Sequence, residues 1–209
     1  MDTFIINNEN DFYKIRGFKN NEKTFKIIIN SDITFNRKFI PIDGFNEYTI
    51  YIDGQNHILN NIDIYDPNEK VGMFTKLSNL VVENLNIINS SLYGGVLSGI
   101  ICGDVEHNTT INNVNLMNVT VSSEAYGGGV VGFSEKLDIN NSKLYTEVHG
   151  YDVVGGVAGM INHYTEENCD IKSTIFGFGK AIGNDIGYCE DKKINQKKKG
   201  KSLFKRFHF

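Results

Sequence analysis

The residues best suited to acid–base chemistry are Asp138 and Asp170. Each stands immediately before an apolar residue that opens a similar segment, "INNSKL" at 139–144 and "IKSTIF" at 171–176. In that register the two carboxylates fall on neighbouring rungs of a repeat, about 5 Å apart if the rungs are β-strands. At such a separation one carboxyl has a raised pKa, or the two serve as the pair of a retaining glycosidase. The competing reading makes both of them solvent-facing corners, because no third carboxylate, basic residue or aromatic platform falls in register with them. His57, in "DGQNH", has the chemistry of a general base, but without an in-register partner it reads as a turn residue holding a structural hydrogen bond.

Three glycine clusters raise the question of a phosphate cradle: "YGGVLSG" (93–99), "YGGGVVG" (126–132) and "VGGVAG" (154–159). Neither GxxxxGK[ST] nor a GxGxxG that opens a helix is present, so the clusters read as structural. Cys102, Cys169 and Cys189 are too few for a disulfide framework and form no CxxC pair, and the five histidines are scattered. The expectation is reduced, packing cysteines with no metal and no cofactor.

The elements that would position these residues follow from the repeat. Aligning Gly94, Gly128 and Gly155 gives intervals of 34 and 27 residues. A second pattern, "VENLNI" (82–87), "INNVNL" (111–116), "INNSKL" and "IKSTIF", starts at intervals of 29, 28 and 32. Self-similarity on this scale marks a solenoid. Between the glycines, stretches such as "NLVVENLNII" alternate apolar and polar residues with a period of two, and Val, Ile, Asn and Gly dominate where helical repeats would use Ala and Leu. The predicted fold is all-β, a parallel β-helix. Gly94, Gly95, Gly128, Gly129, Gly132, Gly155, Gly156 and Gly159 are assigned to its corners, where glycine supplies φ > 0 or close backbone approach. Val96, Val130 and Val157 are expected to form an inward aliphatic ladder. Asn84, Asn113 and Asn141, aligned with Ser173, are expected to form a polar ladder at a bend.

These residues resemble the GLUG repeat of bacterial surface and adhesin-like proteins. "GGVVG" (128–132) and "GGVAG" (155–159) match its core with Val in place of Leu, and "GGVLSG" is a looser match. "IDGQNHILNNIDIY" (52–65) is similar to the Asp-Gly-x-x-His-x-Ile segment that precedes such repeats, and "NDFYKI" followed by "FKIIINSDITF" is similar to their usual lead-in. The resemblance covers about residues 5–190. It implies a right-handed β-helix and an extracellular or cell-surface role.

Domain organisation follows composition. In "NNENDFYKIRGF", Asn8 is the expected N-cap of a short amphipathic helix that carries Glu9 and Asp11 in its first turn and Phe12 and Ile15 on one face, closing the N-terminal end of the stack. The cap is placed at 1–20, the β-helix at 21–190 and a basic aromatic tail at 191–209. Eight of the 21 basic residues lie in 192–209 with no acid among them, leaving 13 against all 25 acidic residues in the remainder. Within that tail Lys197, Lys198, Lys199, Lys201, Lys205 and Arg206 interleave with Phe204, Phe207 and Phe209, a pattern suited to an anionic membrane, a nucleic acid or a groove on another protein. Folding back on the acidic body is the alternative.

The N-terminal residues show no basic start followed by an apolar run, and no stretch approaches the length of a membrane span, so the expectation is a cytoplasmic chain. Export or assembly by another route would place it at a cell surface or on a virion. The functional expectation is a non-enzymatic binding or assembly scaffold, with its faces for protein or glycan contact, its tail for docking, and self-association by end or face stacking open to it. One alternative is an enzyme on polysaccharide using Asp138 and Asp170. The other is an acidic mimic of nucleic acid that occupies a DNA- or RNA-binding protein.

Overall fold

The computed structural model describes residues 1–177, 181–183, 185–195 and 203–204. It is nearly all β and forms a parallel solenoid of about six turns. Along the principal sheet, Asp2–Ile6, Thr24–Ile29, Thr49–Asp53, Asn79–Gly94, Cys102–Ser123, Val131–Asn140, Ala158–Glu167 and Ile186–Asn195 stack in chain order. A smaller sheet stacks Lys70–Val71, Leu97–Gly99, Tyr126–Gly128, Val153–Gly155 and Ala181–Gly183. The pairings are parallel throughout both sheets. The long strands bend around corners. Cys102–Ser123, for example, meets Asn79–Gly94 along most of its length, and then Val131–Asn140 and Lys143–Gly150 on its other side.

Alternation within each strand sends every second side chain into the coil, and the parallel register stacks equivalent side chains from turn to turn. One such ladder is Ile87, Leu116, Leu144 and Ile171, and another is Leu92, Val121, Val148 and Ile175. All eight are buried. Each fully buried aliphatic side chain contributes about 1.5–3 kcal/mol relative to exposure, so the solenoid is held chiefly along its axis.

The register corrects the sequence alignment at three places. The stacked glycines of the smaller sheet are Gly99, Gly128, Gly155 and Gly183, whereas Gly94 sits beside Ser123, which is followed by Gly150. Val130 and Val157 are fully buried as expected, but Val96 is only half-buried, and Ile101 lies next to Val130 in its place. In the second pattern Ile139 is followed by Glu166, and "IKSTIF" belongs to the next wall, where Ile171 pairs with Leu144.

Corner chemistry also divides differently. Among the described glycines only Gly17 and Gly44 have positive φ. The left-handed residues stacked at one corner are asparagines: Asn84, Asn113, Asn141 and Asn168 have φ between 50° and 55°. Asn tolerates this conformation better than other residues with a Cβ, and its amide continues the stack. Asn113 Nδ2 donates to Asn84 Oδ1 at 2.8 Å, and Asn141 Nδ2 donates to Asn112 Oδ1 at 3.1 Å. Ser173 stands elsewhere, buried and hydrogen-bonded to Thr146 Oγ1 at 3.0 Å. The clustered glycines serve close approach instead, since a Cβ on Gly128 would lie 2.3 Å from Ala158 Cα.

At the N-terminus the short helix spans Glu9–Ile15 and is of the 3-10 type, with Asn8 as N-cap accepting from Asn10 N at 3.0 Å. Phe12 and Ile15 are buried, and Phe12 packs on Phe35 and Phe39. Asp11 accepts from Lys14 Nζ at 2.6 Å and from Asn7 N at 2.8 Å. The lysine hydrogen bond, followed by the backbone N–H, holds its carboxyl below the usual carboxylate range. A depressed folded-state pKa means stability that is present above about pH 4 and lost as pH falls through the folded value. Asp11→Asn is therefore expected to lower the melting temperature at pH 7 and to flatten its decline between pH 4 and 2. Parallel thermal melts across that range check this, and superimposable curves would refute it.

Among the described residues no disulfide joins Cys102, Cys169 or Cys189. Burial pushes the Cys102 thiol far up, and it pushes Cys169 up to about 11. Since the thiolate is the reactive species, neither is expected to react with a disulfide reagent at pH 8 in the folded chain, and both are expected to react in denaturant. Peptide mapping reads this directly, and rapid native labelling of Cys102 would contradict its placement. No helix among the described residues is long and apolar enough to cross a membrane.

Candidate binding face

The wall formed by Asp63–Asp66, the C-terminal parts of Asn79–Gly94 and Cys102–Ser123, Lys143–Gly150 and Asp170–Gly177 carries an outward row built by strand alternation. Its inward members are Ile64, Leu92, Val121, Val148 and Ile175, and the residues immediately following them are Tyr65, Tyr93, Ser122, His149 and Phe176, paired in that order on successive turns. Tyr65 and Tyr93 stack with ring centroids 5.1 Å apart and planes 13° apart. His149 and Phe176 stack at 4.6 Å and 14°. Lys38 Nζ lies 4.8 Å from the centre of the Tyr65 ring and extends the row with a cation. Both tyrosines are exposed, Tyr65 at 59% and Tyr93 at 44%.

Between the two stacked pairs the row is interrupted at Ser122. A groove of about 410 Å³ lies there, lined by Tyr93, Ser122, Glu124, His149, Tyr151 and Phe176. Its floor is fixed: Ser123 Oγ donates to Gly95 O at 2.9 Å. His149 Nε2 lies 2.8 Å from Glu147 Oε1, which restrains the imidazole in its stack. Flat π-faces with a polar rim suit stacking and hydrogen-bond recognition.

Asp138 and Asp170 are not brought together, which corrects the carboxylate-pair expectation. Asp138 pairs across the sheet with Thr110 and Thr165, whereas Asp170 pairs with Lys143 on a different wall. Asp138 lies 2.6 Å from Lys136 Nζ and accepts from the Thr165 hydroxyl. Asp170 accepts from the Tyr145 hydroxyl and from Lys172 Nζ at 3.0 Å. The Tyr145 bond first and Lys172 second lower its pKa, opposite to what a proton-sharing pair requires. "IKSTIF" follows Lys143–Gly150 on its own wall, while the turn after "IN" of 139–140 is Glu166–Glu167, so the two aspartates are not successive members of one row. His57 Nδ1 lies 3.0 Å from Asp32 Oδ1, which also accepts from Ile58 N at 2.9 Å, so the histidine fastens its turn.

Other charges are tied into structure as well. Asp104, nearly buried, lies 2.9 Å from Lys70 Nζ, and its hydrogen bond raises the lysine pKa. Among the described residues no three His, Cys, Asp or Glu side chains converge as metal ligands.

Of the tail, Lys197, Lys198, Lys199, Lys201, Lys205, Arg206, Phe207 and Phe209 lie outside the described residues. The backbone of Phe204 is described: Leu203–Phe204 pairs in parallel with Thr174 and Ile175, on the strand that bears Phe176. Strand structure also continues through Asn195, past the boundary that composition placed at 190.

The aromatic row was missed from sequence, although it has a signature. "IYD" (64–66), "LYG" (92–94), "VSS" (121–123), "VHG" (148–150) and "IFG" (175–177) share an inward aliphatic, an outward residue and a small or turn-forming third residue.

No protein-family model matches the chain, and no curated protein matches it. Among solved structures, the crystal structure of "a putative immunoglobulin A1 protease from Bacteroides ovatus" is similar over 96% of this chain and 82% of that one, with 14% sequence identity and a TM-score of 0.45.

Proposed function

We propose that this chain is a non-enzymatic binding scaffold: a right-handed parallel β-helix of the GLUG-repeat kind, closed at its N-terminal end by the 3-10 helix, whose aromatic face receives a protein or glycan. The observation that carries this reading is the outward row of Tyr65, Tyr93, His149 and Phe176, pre-stacked on strands of the solenoid. Rings already ordered by their neighbours lose little freedom on binding, and exposed tyrosines favour contact because each offers a large apolar face with a polar tip. Carboxylates scattered over different walls, several of them neutralised by lysine, support neither a glycosidase pair nor a continuous acidic strip that could imitate a phosphate backbone. The basic tail is assigned, on composition, to docking against an anionic partner.

The test replaces the row with Tyr65→Ser, Tyr93→Ser and Phe176→Ser together, keeping the full chain. Retention of soluble polysaccharides and of proteins from a lysate is compared with the unmodified chain, and release of reducing ends is followed in the same tubes. The expected result is retention that the triple variant loses while its circular dichroism spectrum is preserved. Retention unaffected by the three substitutions would move the binding surface elsewhere, and time-dependent release of reducing ends would overturn the non-enzymatic reading.

A further inference from the structure

We infer that the interruption at Ser122 is a seat for one neutral pyranose ring, so that the aromatic face recognises a glycan. This rests on the binding reading above and adds the ligand class. Tyr93 and Ser122 are register partners, as are Ser122 and His149, so Tyr93 and His149 lie two turns apart. With strands about 4.8 Å apart, their rings are separated by roughly 9.6 Å. Taking about 1.7 Å of van der Waals thickness from each facing ring leaves a clear gap of about 6 Å.

That gap selects by thickness. A flat aromatic ring needs only about 3.5 Å and would touch one wall at a time. A pyranose chair carries C–H groups on both faces and is thicker, so it can lie against both walls together. The walls are ready for it: Tyr65 backs Tyr93, Phe176 backs His149, and the rings of each pair are stacked with nearly parallel planes, so the remaining face of Tyr93 and of His149 is turned toward the gap. Aromatic faces carry the negative end of the ring quadrupole, which attracts polarised C–H groups.

The polar groups around the seat are unspent. Among the described residues, the Ser122 hydroxyl and the Glu124 carboxylate, both lining the groove, have no hydrogen-bond partner. Both can engage the hydroxyls that radiate from a sugar ring. Glu124 together with Glu147, which sits beside His149, sets an anionic rim that repels uronic and sialic acids, so the ring is a neutral one.

The experiment applies the full chain to an array of neutral and acidic glycans, then titrates the best neutral oligosaccharide calorimetrically into four proteins: the unmodified chain, Tyr93→Ala, Ser122→Phe, and Tyr51→Ala as an exposed aromatic on another wall. The expected result is binding of neutral glycans, weakened about tenfold or more by Tyr93→Ala, which removes a wall, and by Ser122→Phe, which fills the seat with the chain's own ring. Tyr51→Ala should bind unchanged. Ser122→Phe should melt no lower than the unmodified chain, because its ring completes the ladder, and Tyr93→Ala keeps the question decidable if Ser122→Phe misfolds. Failure to retain any neutral glycan would overturn the inference, as would displacement by tetramethylammonium, which would assign the groove to a cation. Neutral-glycan binding that ignores Ser122→Phe and Tyr93→Ala but is lost in the Tyr65/Tyr93/Phe176 serine variant would overturn the seat while leaving the binding face standing.

Discussion

Gly128→Ala is expected to lower stability by at least about 3 kcal/mol, a fall in melting temperature of about 10 °C for a chain of this size, or to prevent folding outright. Gly127→Ala, one residue earlier, is expected to cost less than about 1 kcal/mol. The difference comes from what a methyl group would meet. At Gly128 the nearest atoms are Val131 O at 2.1 Å, Ala158 Cα at 2.3 Å and Gly159 N at 2.7 Å, all of them backbone in paired strands. Relief would require separating two stacked turns, which breaks the ladder on both sides. At Gly127 the nearest atoms are Ser123 Cβ at 3.1 Å and Val148 Cγ1 at 3.3 Å, side-chain atoms that can shift by tenths of an ångström. Neither glycine has positive φ, so conformational strain is not the discriminator. The added methyl also restricts the unfolded chain, which offsets part of the cost at Gly127 and cannot at Gly128. Thermal and urea melts of the two variants decide the matter, and equal losses at both positions would show that close approach does not account for the glycine ladder.

The same packing explains why the solenoid was legible in sequence while its register was not. Alternation in "NLVVENLNII" is a one-strand property: it places Leu80 and Val82 inside and, after the left-handed Asn84 shifts the phase by one residue, Leu85 and Ile87, as the structure does. Register depends on which corner a glycine occupies, and each turn has more than one. "YGGVLSG" contains Gly94 and Gly95 from one corner and Gly99 from the next, and choosing Gly94 gave an interval of 34 where Gly99 gives 29. At the other end, Glu166 occupies the inward position held by Ile139 on the preceding turn, and the Tyr164 hydroxyl donates to it at 3.1 Å. A half-buried glutamate at an inward register position hides the repeat from any apolar pattern, so "IKSTIF" passes for the missing copy. That slip alone produced the Asp138/Asp170 pair. It also hid the binding face, because Tyr93, Ser122, His149 and Phe176 share no residue type and become a row only when the turns are stacked correctly.

The asparagine corners allow a second large effect to be divided into its causes. Asn113→Ala is expected to destabilise by about 2–3 kcal/mol, and Asn113→Gly by only about 1 kcal/mol. Asn113 has φ 53°, a conformation costing an ordinary residue with a Cβ about 1–2 kcal/mol, and its side-chain amide donates to Asn84 Oδ1 at 2.8 Å and to Asn56 Oδ1 at 3.3 Å. Alanine keeps the Cβ but loses the amide, so it incurs both the backbone cost and the loss of the two hydrogen bonds. Glycine removes the steric objection to positive φ and forfeits only the amide, apart from the extra freedom it gives the unfolded chain. The gap between the variants therefore measures the conformational share, and the glycine value bounds the share of the hydrogen-bond stack. Asn84 lies one turn below with φ 52°, and removing its partner should propagate. Combining Asn84→Gly with Asn113→Gly is accordingly expected to cost less than the sum of the two single changes, because either one already breaks their shared bond. If alanine and glycine at 113 instead proved equally costly, the corner would be held by side-chain stacking alone, and the left-handed conformation would have no part in selecting asparagine there.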